Sequence, residues 1–298
     1  MLNLDEYIEV SRKKYEALIR TVEHRLDDDV LNARVRFRYV AFDGNGIPRF
    51  RELAHCLSDH AVTYCLSARR RGDPQTSDEW SALSRQARHL LRQEVRSGDA
   101  GEILLYFLLE AELGAPQLVA KVDLKTNPRL EVNGSDGIHM RMSNTDDILE
   151  LYFGEAKLYK DVRQALRKVL ESLTSFHGDG MVEHELGLVT SHFKNADEGL
   201  RQRVVEYIDP YRKTPAYRVK HACLVGFTWD DYAKLRGGAS LSSIEDQFIA
   251  QYEQEAVELK AAFESTFEGA LRAYHLDVFF LPFHCVDEFR SLFLEAVS

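Results

Sequence analysis

Two stretches near the middle of the chain alternate apolar and polar residues with period two. The first is Asn133-Gly134-Ser135-Asp136-Gly137-Ile138-His139-Met140-Arg141-Met142, the second Leu149-Glu150-Leu151-Tyr152-Phe153-Gly154-Glu155-Ala156-Lys157. That period belongs to strands, and Ser143-Asn144-Thr145-Asp146-Asp147 between them is turn chemistry, so the pair reads as an antiparallel hairpin. Directly opposed residues in such a pair have residue numbers of constant sum. Setting Arg141 against Glu150 brings opposite charges together, which is favourable. The same register sets Met142 against Leu149, Met140 against Leu151 and Ile138 against Phe153. A slip of one residue would turn every apolar side chain to the wrong face. One step further, the register sets Asp136 against Glu155, with Lys157 on the same face.

Two carboxylates about 5 Å apart on an apolar face repel each other or share a proton. A divalent cation removes the conflict. Mg²⁺, with Mn²⁺ as a substitute, is held by one or two carboxylates together with substrate phosphate. Asp136 and Glu155 are therefore the candidate metal ligands. Lys157 is the group that would position a water or stabilise charge developing on a phosphate oxygen. The plainer reading is a surface hairpin with an ordinary salt bridge among the three. The arrangement resembles the PD-(D/E)xK nuclease site, here Ser135-Asp136 followed by Glu155-Ala156-Lys157. Serine stands where that family's name has proline, a position that is not a metal ligand. The resemblance implies a further ligand from the backbone carbonyl of Ala156.

The remaining composition is that of an ordinary globular chain. A hydrophobic content of 45% over 298 residues is enough for one large or two small cores. The N-terminus lacks the basic and apolar segments of a signal peptide, and no apolar run is long enough to span a membrane, so a cytoplasmic protein is expected. Cys56, Cys65, Cys223 and Cys285 are scattered, and the histidines lack zinc-ligand spacing. The net charge of −10 is awkward for a protein acting on nucleic acid, whose affinity comes mainly from Lys and Arg. Either basic residues are concentrated locally or another protein delivers the substrate.

Along the chain, residues 4–26 read as a helix and Ala33–Phe42 as a strand with Arg34, Arg36 and Arg38 on one face. That arginine row is either a solvated face or a phosphate contact. Helical patterns follow over Phe50–Leu66 and, capped by Ser77 or Asp78, to about Val95. Between them lies a basic loop, Arg69-Arg70-Arg71-Gly72-Asp73-Pro74. Ala100–Leu113 is apolar on nearly every side, so it must be a central helix. Its polar stripe is Glu102, Tyr106 and Glu110. Glu102 is either an acid favoured by the helix dipole or an extra carboxylate near the metal. Gln117–Lys125 alternates as a strand, Asp161–Phe176 is an amphipathic helix, and Glu185–Phe193 reads as another strand. Gln164, in the first turns of the helix after Lys157, is a candidate substrate contact. Ala222–Thr228 and Leu276–Phe283 read as strands, Leu241 to about Tyr274 as a long helix that can break near Ser265, and Val286–Val297 as a closing helix.

The order from Ala100 to Phe193 is then αβββαβ, the core of the PD-(D/E)xK, restriction-endonuclease-like fold. The expected fold is α/β, a mixed sheet flanked by helices, with N- and C-terminal elaborations. Residues 1–97 would form a mostly helical extension with one strand, and 98–298 the nuclease-like domain with its C-terminal continuation. Gly101-Glu102 on the apolar helix, the run from Asn133 to His139, and Tyr152-Phe153-Gly154-Glu155-Ala156-Lys157-Leu158 together resemble the HamA effectors of the Hachiman anti-phage defence system. This resemblance implies a metal-dependent DNA nuclease working with a helicase partner of the HamB type. It implies Asp136 and Glu155 as ligands, Lys157 as the catalytic lysine and Glu102 as an accessory acid. A non-catalytic scaffold or regulatory subunit on the same fold is the alternative. No P-loop, dinucleotide fingerprint or nucleophile elbow supports another enzyme class.

Overall fold

The structure, a computed structural model, describes residues 2–22, 26–28, 32–91, 98–124, 134–178, 180–194, 197–209, 211, 217–235, 242–268 and 274–298. In chain order the elements are α1 (Arg12–Leu18), β1 (Ile19–Thr21), β2 (Leu26–Asp28), β3 (Ala33–Val40), α2 (Phe50–Asp59), α3 (Ala61–Cys65), α4 (Ala68–Arg71), α5 (Ser77–Leu90) and α6 (Asp99–Leu113). Then come β4 (Gln117–Val119), β5 (Gly137–Met142), β6 (Leu149–Tyr159), α7 (Val162–Gly178), α8 (Met181–Ser191), α9 (Glu198–Ile208), β7 (Tyr217–Thr228), α10 (Ser242–Phe267), β8 (His275–Phe283) and α11 (Val286–Val297).

One mixed sheet joins these strands in the order β1-β3-β8-β7-β6-β5-β4, with β2 also pairing β3. Strands β3, β8, β7 and β6 run parallel, and β5 and β4 continue antiparallel from β6. Helices cover both faces of the centre, so β6 is buried along nearly its whole length and on both sides. On one face α6 lies directly on β6. A Cβ added to Gly101 would stand 3.3 Å from Ala156 and 3.2 Å from Leu158, a close approach that glycine permits. The opposite face carries Phe153, whose ring lies 5.0 Å from that of Phe176 on α7. Farther along that face Phe37 stacks on Phe280 and meets Tyr252 of α10. Helices α8 and α9 close a second apolar cluster with β4, β5 and the start of β6, through Val189, Leu200 and Val204.

The hairpin register is as derived: Met142 opposes Leu149, Arg141 opposes Glu150, Met140 opposes Leu151 and Ile138 opposes Phe153. Arg141 and Glu150 form an ion pair at 2.6 Å. The apolar helix α6 and the closing helix α11 also stand where the sequence places them.

Several elements differ from the sequence reading. The helix expected over 4–26 is only α1; the β-branched run Ile19-Arg20-Thr21 forms a strand against Val40, Tyr39 and Arg38 instead. Among the described residues the first 97 positions thus hold three strands, not one, and all three join the central sheet. Thr76, not Ser77 or Asp78, caps α5, in a capping box with Glu79. The basic triplet forms the short helix α4, with Arg71 paired to Glu9. The strand from Gln117 stops at Val119 and turns into a 3-10 segment, Lys121–Leu124. The strand expected over Glu185–Phe193 is helix α8. The last strand of the αβββαβ order is therefore β7, reached only after α8 and α9. The arginine row divides: Arg34 is exposed, whereas Arg36 pairs with Glu112 and Asp277, and Arg38 with Glu112. The expected strand residue Lys125, the helix end at Val95, the start of the hairpin run at Asn133 and the proposed boundary at residue 97 lie outside the described residues.

Candidate active site

Strand β6 outlasts β5 at its C-terminal end, and the site lies where β5 leaves it. The last ladder bond on that side runs from the Asp136 N–H to the Gly154 carbonyl, 2.8 Å. The next N–H of β6 on the same side, that of Ala156, is donated at 2.6 Å to Oδ2 of Asp136 instead of to a backbone carbonyl. The N–H and C=O of a strand residue point toward the same neighbour. The Ala156 carbonyl therefore faces the same gap as the Asp136 carboxylate.

Glu155 and Lys157 project from the face opposite α6. Glu155 is 6% exposed. Its Oε1 lies 2.5 Å from the Lys157 ammonium, whose side chain is 26% exposed. The Asp136 carboxyl is held above the ordinary carboxylate range, first by burial and then by the charge of Glu155, with Lys157 acting in the other direction. Asp136 keeps partial exposure because it lines a cavity, yet protein surrounds it a few ångströms beyond, and that surrounding desolvates it. Burial works against the Lys157 ammonium, but Glu155 and Asp136 outweigh it and raise its pKa.

A cavity of about 820 Å³ opens here, lined by Asp136, Glu155, Ala156, Lys157 and Glu102, with Glu171 and Phe176 of α7 on another wall. Five of the six sequence-derived site residues, Asp136, Glu155, Ala156, Lys157 and Glu102, therefore converge in one place. Glu102 projects from the first turn of α6 and accepts from the Tyr64 hydroxyl at 3.1 Å. Gln164 stands apart: it is exposed in the first turn of α7 and is not part of the cavity wall, and its N–H donates to Asp161, the residue that starts the helix.

The residues fit a hard divalent cation. Two carboxylates and a main-chain carbonyl supply oxygen only, and Lys157 offsets only part of the pair's two negative charges. Among the described residues no three His, Cys, Asp or Glu side chains converge as a metal cluster.

Sequence reasoning missed two features of the site. The first is a buried ion pair, Lys121 with Glu185 at 2.7 Å, against the loop that carries Asp136. The second is His221, on the cavity wall, whose Nε2 lies 2.8 Å from Nε2 of His177. Only one of these two nitrogens can carry a proton in that contact. Burial lowers both imidazoles, His221 to about 3 with some help from His177. Neither feature has a local sequence signal, since each joins residues from separate elements.

A family model described as HamA matches residues 16–297 of the chain. No curated protein matches it.

Proposed function

The chain belongs to the HamA family, a component of Hachiman defence, and from that premise we propose that it is a metal-dependent DNA nuclease. The observation that supports this reading is the convergence of Asp136, Glu155 and Lys157 on one cavity at the end of β6, with the Ala156 carbonyl facing the same gap. Asp136, Glu155 and that carbonyl would hold Mg²⁺ or Mn²⁺. A divalent cation, when bound there, neutralises charge on the scissile phosphate.

The chain's own groups do the rest. Lys157 orients the attacking water or stabilises the charge that develops on phosphate, and Glu155 keeps the ammonium in place through their ion pair. In the metal-free site Glu155 and Asp136 raise the Lys157 pKa and favour its charged form. Asp136 is held by the Ala156 N–H, so its free oxygen has a defined direction. Glu102 adds a further acid to the wall.

The net charge of −10 suits a nuclease whose DNA is delivered by a partner, in this family's setting a helicase of the HamB type. Among the described residues no helix is long and apolar enough to cross a membrane. The test is incubation of the pure protein, alone and with its partner, with plasmid and linear DNA in Mg²⁺, Mn²⁺ or EDTA. Cleavage that needs the cation and vanishes in Asp136→Asn supports the reading. Cleavage unaffected by EDTA, or retained in Asp136→Asn, ends it.

A further inference from the structure

We propose that Lys121 and Glu185 are positioning residues of this site: their buried ion pair clamps the main chain of Ser135 and so sets the direction of Asp136. The proposal rests on the nuclease reading only for its effect on cleavage.

The need for a clamp follows from the end of β5. Because the Ala156 N–H goes to the Asp136 side chain, β6 offers no ladder partner to the main chain just before it. Ser135 is nevertheless buried, at 6% exposure. A buried peptide without partners is costly, so its N–H and C=O must be satisfied by something else. Both are met by this one pair. The Lys121 ammonium donates to the Ser135 carbonyl at 2.6 Å, and Glu185 Oε1 accepts the Ser135 N–H at 3.0 Å. Lys121 and Glu185 are themselves bonded at 2.7 Å and are 4% and 0% exposed on their side chains. The Ser135 hydroxyl closes the turn by donating to the Gly137 carbonyl at 3.3 Å.

The residue before the clamp is fitted to it. Gly134 has φ +110°, a conformation that side chains disfavour, and a Cβ there would overlap the Glu185 carboxylate and press on the Lys121 ammonium. The loop can thus pass the ion pair only as glycine. Lys121 comes from the 3-10 turn after β4 and Glu185 from α8, so two elements on either side of the loop converge on it.

A buried ion pair is often replaceable by apolar residues with little loss of stability, whereas removing one partner alone strands a charge. This gives the test. The double variant Lys121→Met/Glu185→Leu removes the clamp without leaving a buried charge. Amide hydrogen exchange reads the result without metal or DNA, because the Ala156 N–H is bonded to the Asp136 carboxylate. The expected outcome is a loss of protection at Ala156 of tenfold or more relative to Leu151 and Tyr152 on the same strand. Weaker Mn²⁺ binding and at least tenfold slower cleavage should accompany it. Ala156 protection that stays in step with the rest of β6 overturns the proposal. Should the double variant not fold, Lys121→Met/Glu185→Gln removes the bond to the Ser135 carbonyl, keeps the size of residue 185 and leaves no buried charge. A selective loss at Ala156 supports the clamp there, and no selective loss overturns it. Failure of the nuclease reading shows separately, as a wild-type protein without Mn²⁺ binding or cleavage, and leaves the exchange result decisive for the clamp.

Discussion

Replacing Asp136 by asparagine should stabilise the metal-free protein while abolishing cleavage, and the size of the effect follows from the site. The Glu155 charge acts on the Asp136 carboxyl, and two unit charges about 5 Å apart with an effective dielectric constant near 20 repel by roughly 3 kcal/mol. Lys157 lies beside the pair and offsets part of this. The variant also exchanges a charge-assisted hydrogen bond from Ala156 for a neutral one, a loss of about 1 kcal/mol. The net gain expected for Asp136→Asn at pH 8 is therefore on the order of 1 kcal/mol, or roughly 1–2 °C in melting temperature for a chain of this size. It must also depend on pH. Burial and Glu155 raise the Asp136 pKa in the native state. Below the ordinary carboxylate range the group is neutral in both native and unfolded chains and contributes nothing. As the pH rises from that range toward the raised native value, the unfolded chain releases its proton first and the wild type loses stability. Scanning calorimetry in EDTA from pH 4.5 to pH 8 measures the difference, which should be smallest at the acid end and grow toward pH 8. Equal melting temperatures throughout, or a variant less stable at pH 8, would refute the like-charge argument.

Adding Mn²⁺ should reverse that order: wild type gains about 2.7 kcal/mol at a hundredfold excess over Kd, while Asp136→Asn gains little, as thermal shift will show. Lys157→Ala should remove turnover but still bind Mn²⁺ and associate with the partner. Lys157→Arg should also be poor, because a planar fork replaces a compact ammonium. Full cleavage by Lys157→Ala would end the assignment of the nuclease to this site, and good function in the arginine variant would favour a structural cluster. Glu150 is 3% exposed and is contacted by Arg141, Lys220 and Arg218. Glu150→Ala should therefore cost on the order of 3 kcal/mol by leaving Arg141 and Lys220 without their carboxylate partner, visible as a lower urea midpoint, with metal binding unchanged.

How much of this molecule is legible in the sequence depends on whether the signal is local. Alternation, a turn and one favourable charge pair determined the β5–β6 register, because a one-residue slip would have set Arg141 against Leu149 or Leu151 instead of Glu150. The register in turn brought Asp136, Glu155 and Lys157 together. The apolar surround of Ile103, Leu104, Phe107 and Leu108 likewise determined that α6 is central. Tertiary structure decided what charged residues do, because a buried charge and a surface charge look alike in a sequence. Glu185 occupies an inward position four residues before Val189, and that acid hides the helical period, so α8 reads as a strand. Its burial is tolerable only because Lys121 arrives from 64 residues away. Arg36 reads as part of a solvated row until Asp277, 241 residues distant, comes beside it on the neighbouring strand. Periodicity records which side of an element faces a core. It does not record which remote partner meets a charge there, and that pairing fixes where the carboxylate of Asp136 points.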